Sequence, residues 1–207
     1  MNFIGDLSCE DANLLSKYAR TASSILEFGA GGSTQIIAVS KPTLADFLCV
    51  DTEQKWIDRA KSNLSDLGFL QSVDFVSFEN LGVPYPVFYD LIFVDGYKPM
   101  RETFFLKTFP WLKVGGSILV HDTRRLGDLR YLFKCCLEFW LEVDTIQINA
   151  ENSNISVVTK RHALPHRNWT ESEKREQWES GHEPPPNDWM ERLQAKREIQ
   201  KMNDDWK

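Results

Sequence analysis

No C-x-x-C pair occurs in this sequence, whose four cysteines are Cys9, Cys49, Cys135 and Cys136. The adjacent pair Cys135-Cys136 falls in a helical stretch. It suits neither a disulfide framework nor a zinc site, which leaves buried free thiols in a reducing compartment as the reading. No apolar run is long enough to span a bilayer, and the first residues lack the basic-then-apolar order of a signal peptide. A cytoplasmic protein with no membrane partner is therefore expected. Positive charge is short as well: 24 Lys and Arg stand against 30 Asp and Glu, a formal net charge of -6. Neutralising phosphates takes a basic surface, so a general nucleic-acid binder is disfavoured. A local basic patch at Arg124, Arg125 and Arg130 stays open. No internal repeat is present.

What is there suits one domain with a modest appendage: 207 residues, 42% hydrophobic and 26% charged. The chain is organised around Ile25-Leu26-Glu27-Phe28-Gly29-Ala30-Gly31-Gly32-Ser33-Thr34. An apolar strand ends there in an acid and a glycine-rich turn, and a helical pattern follows over 35–39. Glycine at such a turn lets the backbone approach a ligand closely. The helix start adds N–H groups and positive dipole character. A dinucleotide fingerprint G-x-G-x-x-G would need glycine where Thr34 stands.

Glu27, two residues before the first glycine, gives E-x-G-x-G instead. That loop resembles the cofactor loop of class I S-adenosylmethionine-dependent methyltransferases. The resemblance implies that Glu27 helps hold the methionine moiety and that Gly29, Gly31, Ser33 and Thr34 form the cofactor cradle.

Strands and helices then alternate. Ser8 with Asp11 is a capping box at the start of a helix reaching Arg20. A second strand, 43–50, ends in Asp51, which would accept hydrogen bonds from ribose hydroxyls or else cap the next helix; Glu53 is a second candidate. A helix over 56–67 stops at Gly68. A third strand, 73–78, precedes Glu79, where related enzymes contact adenine. A fourth, 90–94, ends in Asp95-Gly96. A helix over 101–112 and a turn at Val114-Gly115-Gly116 lead to a fifth strand, 117–120, ending in His121-Asp122-Thr123. After a helix over 126–139, strands 141–148 and 155–160 form a hairpin. This order implies an α/β fold: a Rossmann-like, doubly wound, mostly parallel seven-stranded sheet with an antiparallel last strand, in three α/β/α layers.

Asp95 and Asp122 end neighbouring strands, so their carboxylates share one rim and repel unless a proton or a cation intervenes. A hard divalent ion suits such oxygen donors. The segment D-G-x-K followed by G-G-x-x-x-x-H-D resembles the metal-dependent O-methyltransferases, both the catechol type and sugar-methylating relatives, and the resemblance covers 25–160. It implies S-adenosylmethionine and a divalent metal (Mg²⁺ or Mn²⁺) as cofactors, with Asp95 and Asp122 as metal ligands and Asp95 also a cofactor-binding and catalytic residue. Thr123, standing where the catechol type has asparagine, would be the third ligand. Lys98 would be the base. His121 is either a second candidate base or a buried strand-end histidine, its side chain expected to alternate away from that of Asp122.

The implied reaction is methyl transfer to a hydroxyl of a small acceptor, a sugar or glycan in preference to a catechol. Other readings are a protein or nucleic-acid methyltransferase, an NAD-binding oxidoreductase and a non-catalytic binding module. The Asn/Asp-Pro-Pro-aromatic motif of amino-methylating DNA enzymes is missing after the fourth strand, where Asp95-Gly96-Tyr97-Lys98 stands. From residue 162 the composition turns polar, with Trp169, Trp178, Trp189 and Trp206 and a break at Pro184-Pro185-Pro186. This divides the chain into a methyltransferase domain, 1–161, and an extension, 162–207, expected to act as a lid or as a homo-oligomer contact.

Overall fold

Successive residues of the central strands point to opposite faces, and on both faces they are apolar, so the sheet needs helices on each side. The computed structural model describes residues 7–41, 46–81 and 88–161. Its elements run α1 (Cys9–Thr21), β1 (Ser24–Phe28), α2 (Gly32–Ser40), β2 (Asp46–Asp51), α3 (Gln54–Leu67), β3 (Asp74–Ser77), β4 (Tyr89–Val94), α4 (Arg101–Thr108), β5 (Leu112–Val120), α5 (Leu126–Glu138), β6 (Val143–Gln147) and β7 (Ser156–Lys160). The seven strands form one sheet in the order β3-β2-β1-β4-β5-β7-β6. Pairing is parallel from β3 to β5, and β7 runs antiparallel to both its neighbours.

One face carries Ile25, Cys49, Leu91, Phe93, Leu119 and Val157 against Leu14 and Leu15 of α1, Ile37 of α2, and Ile57 and Leu64 of α3. The other carries Leu26, Phe28, Ile92, Val94, Ile118 and Val158 against Phe104 and Phe105 of α4 and Leu132 of α5. Cys49, Cys135 and Cys136 are buried free thiols as expected, whereas Cys9, the first residue of α1, is exposed.

Local chemistry sets most boundaries. Asp11 N–H donates to Ser8 Oγ at 3.1 Å and Ser8 N–H donates to Asp11 Oδ2 at 3.0 Å, closing the capping box of α1. Gly68, left-handed at φ 77°, ends α3 with its N–H on Leu64 and Ser65 carbonyls.

Two boundaries differ most from the sequence reading. The helix at Arg101 stops at Thr108 and tightens into a 3₁₀ turn over Phe109–Trp111, because Pro110 has no N–H with which to continue the α ladder. The glycine pair is not a turn before β5 but lies inside it. Tyr89 pairs with Leu112 and Leu91 with Ser117, so the extra residues bulge out around Gly115 at φ 80°.

The expected start of the second strand at Thr43 and the whole Trp-containing extension lie outside the described residues.

Candidate active site

Strand order reverses at β1, which has β2 on one side and β4 on the other. In an open α/β sheet, a ligand crevice opens beyond the C-terminal strand ends at such a point. Here the backbone ladder continues one residue past each strand: Gly29 N–H donates to Val50 O at 2.8 Å, Asp95 N–H to Phe28 O at 2.9 Å, and His121 N–H to Val94 O at 3.1 Å. The loops after β1, β4 and β5 therefore leave the sheet in a fixed register.

The turn after β1 works because of Gly29. Its φ is 107°, and a Cβ there would sit 2.7 Å from Gly96 N. Gly31 N–H donates to Thr34 Oγ1 at 2.9 Å, closing the first turn of α2. Ala30 N–H donates to Asp51 Oδ2 at 2.8 Å, and Glu53 N–H donates to Asp51 Oδ1 at 2.9 Å. Asp51 thus clamps the glycine turn to the end of β2; the residue at the N-cap of α3 is Glu53, without a side-chain cap bond.

Between these loops lies a cleft of about 300 Å³ whose lining includes Gly29, Gly31, Ser33, Asp51, Glu53, Trp56, Asp95 and Tyr97. Of the residues expected to hold a cofactor, Gly29, Gly31, Ser33, Asp51 and Asp95 line it. Glu27 lies beneath the turn, fully buried, and neither carboxylate oxygen has a hydrogen-bond partner. Burial raises its pKa to about 7, with Ser33, Thr34 and Cys49 as the polar neighbours that oppose the rise. Thr34 is buried in the turn closure, and Glu79 lies outside the cleft lining on the 3₁₀ turn Phe78–Asn80.

Behind the cleft is a dense charged cluster. Asp95, with a side chain 21% exposed, reaches both the cleft and His121, whose Nδ1 is 2.9 Å from Asp95 Oδ1. His121 Nδ1 also lies 3.9 Å from Asp122 Oδ1, so the two side chains do not alternate apart. The cause is Asp122 itself, whose φ of 65° breaks the strand's two-residue alternation. Burial lowers the His121 pKa, but the hydrogen bond and charge of Asp95, helped by Asp122 and Asp11, outweigh it and push the value to about 9. Burial raises the Asp95 carboxyl against the pull of His121 and Arg101.

The sequence reading gave no role to Arg101, at the start of α4 and only 5% exposed. Its Nε donates to Gly96 O at 3.0 Å. Nη1 donates to Asp122 Oδ2 at 3.0 Å and Asp128 Oδ1 at 3.1 Å, and Nη2 donates to Asp95 O and Asp95 Oδ1, both at 3.0 Å. The signal for it was two acids at adjacent strand ends with an arginine in the helical connection between them. Asp128 and Asn154, equally unforeseen, complete the cluster.

Ligand atoms of Asp95, His121 and Asp122 lie within 4.8 Å of one another, the spacing of a cation site. As arranged, they do not fit a divalent ion. Asp122 already accepts from Arg101, Arg125 and Asn154, and His121 Nδ1 is turned to Asp95. Thr123 Oγ1 donates to Asn149 Oδ1 at 3.1 Å and accepts from Ser156 Oγ at 2.7 Å, tying it into the β6–β7 connection. Lys98, 59% exposed, directs Nζ to within 3.8 Å of Asp128 Oδ2.

The seven-stranded sheet with its antiparallel β7 superposes on solved structures of S-adenosylmethionine-dependent methyltransferases. The fold is that of the class I methyltransferases. The O-methyltransferase TomG from Streptomyces achromogenes, involved in tomaymycin synthesis and solved with S-adenosylmethionine, matches at TM-score 0.61 and 19% identity, over 76% of this chain and 82% of its own. An O-methyltransferase from Bacillus cereus in complex with S-adenosylhomocysteine matches at TM-score 0.61 and 18% identity, over 75% and 83%. An S-adenosylhomocysteine-bound methyltransferase from Podospora anserina matches at TM-score 0.60 and 17% identity, over 73% and 78%. At these identities the likeness is one of fold. No protein-family model matches the chain, and no curated protein does. Among the described residues, no helix is long and apolar enough to cross a membrane.

Proposed function

We propose that this chain is an S-adenosylmethionine-dependent O-methyltransferase that methylates a hydroxyl of a small acceptor, with a sugar or glycan as the favoured class. The observation that carries the reading is the glycine cradle at the switch point: a turn that a Cβ at Gly29 would fill, set between Asp51 and Asp95 and above the buried, unpartnered carboxylate of Glu27. These residues suit a cofactor with an adenosine at one end and a cationic amino acid at the other. Asp51 stands at the rim for ribose hydroxyls, and Glu27 supplies negative potential under the turn. The N-terminus of α2 faces the same cleft with positive dipole character, which suits the cofactor's carboxylate.

When bound, the cofactor supplies the electrophilic methyl group. The protein then has to align the acceptor oxygen and take its proton. Asp95 is the group for the second task, since it lines the cleft and burial makes its carboxylate more basic. His121 and Arg101 hold that carboxylate in one orientation. Lys98, implied as base by the resemblance, stands on the same loop with its charge turned to Asp128, and is the second candidate. Tyr97, exposed beside Asp95, presents an aromatic face to a sugar ring. The residues expected to ligate a divalent ion are engaged elsewhere, Asp122 by Arg101, Arg125 and Asn154 and Thr123 by Asn149.

The test is calorimetric titration of the full chain with S-adenosylmethionine and, separately, with NAD, followed by methyl-transfer assays over hydroxylated acceptors. Micromolar S-adenosylmethionine binding, no NAD binding and turnover on a sugar are expected. NAD binding in place of S-adenosylmethionine would make the chain a dinucleotide-binding protein. Cofactor binding without turnover across a broad panel would favour a non-catalytic module.

A further inference from the structure

A guanidinium group has five N–H donors, and Arg101 uses all of them within hydrogen-bond distance. Three go to the carboxylates of Asp95, Asp122 and Asp128, and two to the backbone carbonyls of Asp95 and Gly96. These acceptors come from the loop just after β4, the loop just after β5 and the first turn of α5, so one planar cation joins three elements at the C-terminal rim. Side chains of Arg101, Asp122 and Asp128 are 6%, 5% and 1% exposed. Buried carboxylates at this density require a cation, and the cation is already part of the chain.

We infer that Arg101 is the resident cation of this site, standing where Asp95 and Asp122 would otherwise share a divalent ion, and that methyl transfer by this protein needs no added metal. The inference rests on the methyltransferase reading only for its second half; the first concerns the cation site itself. Three arrangements support it. Asp122 has both oxygens engaged, Oδ1 by Asn154 Nδ2 at 3.1 Å and Oδ2 by Arg101 and Arg125. The residue beside it, Thr123, has its hydroxyl bonded to Asn149 and Ser156. An entering divalent ion would have to expel a guanidinium that also carries the carbonyls of the Asp95-Gly96 loop. Arg101 is thereby a positioning residue: it fixes the loop that presents Asp95 to the cleft without itself lining it.

The fork geometry is specific to arginine. A lysine at this place offers a point charge with three donors and cannot span three carboxylates and two carbonyls in one plane.

The experiment is Mn²⁺ binding, read by electron paramagnetic resonance on full-length wild-type protein and on Arg101→Ala, with circular dichroism to verify folding. S-adenosylmethionine titration of the same samples provides a separate readout. Wild type is expected to bind Mn²⁺ no more tightly than millimolar. Arg101→Ala, which leaves three carboxylates facing a vacated volume, is expected to gain a micromolar site, a change that loss of a merely structural residue would not produce. Micromolar Mn²⁺ binding by wild type overturns the inference, as does a folded Arg101→Ala that gains no site. If Arg101→Ala fails to fold, the wild-type thermal midpoint decides: no shift with millimolar Mn²⁺ or with chelator supports the inference, and an increase with Mn²⁺ overturns it. Absence of S-adenosylmethionine binding would remove the methyltransferase reading while leaving the metal result to stand.

Discussion

Glu27 is the residue whose state depends most on what occupies the cleft. Its carboxylate is fully buried without a hydrogen-bond partner, and its pKa of about 7 leaves it part-protonated at neutral pH. A cationic ligand above the glycine turn favours the ionised form and lowers that pKa. S-adenosylmethionine binding at pH 7 should therefore release up to roughly half a proton per site. Calorimetry in two buffers of different ionisation enthalpy measures this directly. Glu27→Gln should abolish the release and weaken binding by about tenfold or more through loss of the charge. A binding enthalpy independent of buffer would mean that the cofactor's positive end lies elsewhere. Sequence alone identified Glu27 as the acid before the turn. That it sits below the cleft and not in its wall follows from strand alternation combined with the helices packed on that face, which no motif records.

At the scale of elements, the glycine turn separates two roles that the motif presents as one. Gly29 is required by the fold: at φ 107°, and with Gly96 N only 2.7 Å from a would-be Cβ, alanine there is strained and overpacked. Gly29→Ala should lose about 1–3 kcal/mol, read as a lower urea midpoint at unchanged slope. Gly31 is extended at φ -178°, with nothing within 4 Å of a would-be Cβ, and it lines the cleft. Gly31→Ala should change stability by less than about 0.5 kcal/mol yet impair S-adenosylmethionine binding. Equal loss of stability in both variants would contradict this division.

Elements buried on both faces were the most legible, because apolar runs such as Leu91–Val94 have few other uses. Boundaries at Pro110 and at Gly115-Gly116 were less so. A glycine pair signals a turn, whereas here the parallel partner β4 absorbs it as a bulge. In the charged cluster, strand ends located Asp95 and Asp122, but the meaning of Arg101 depends on how α4 sits against two strands and α5. That is a tertiary fact, and an ion seemed the simpler answer to two facing acids.

For the molecule as a whole, the perturbed groups set where on the pH scale the fold is most stable. Glu27 has a folded pKa of about 7 against an ordinary 4.5, so the folded state binds more protons than the unfolded state between those values. Stability must fall as pH rises through that window, by about 3 kcal/mol in total. Asp95, also raised by burial, acts in the same direction. His121, at about 9 against 6.5, contributes stability fully present below 6.5 and lost as pH climbs through 9. That loss is again about 3 kcal/mol. Opposing them on the acid side are Asp11 and Asp90. Burial alone would raise both above 3.8, but the backbone N–H groups of Ser8 and Asn154 hold Asp11 below it, and Lys113, Ser23 and Ser24 hold Asp90 below it. Their contribution is present above 3.8 and disappears as pH falls through their lower folded values. The maximum should therefore lie at about pH 4, where the lowered acids already contribute and the Glu27 loss has barely begun, with a decline from there to pH 9. Urea unfolding at intervals across that range measures it, and Glu27→Gln should flatten the limb below neutrality while leaving the alkaline limb that His121 produces. Stability that stays level from pH 5 to 9 would mean that neither group is held in the state its surroundings dictate.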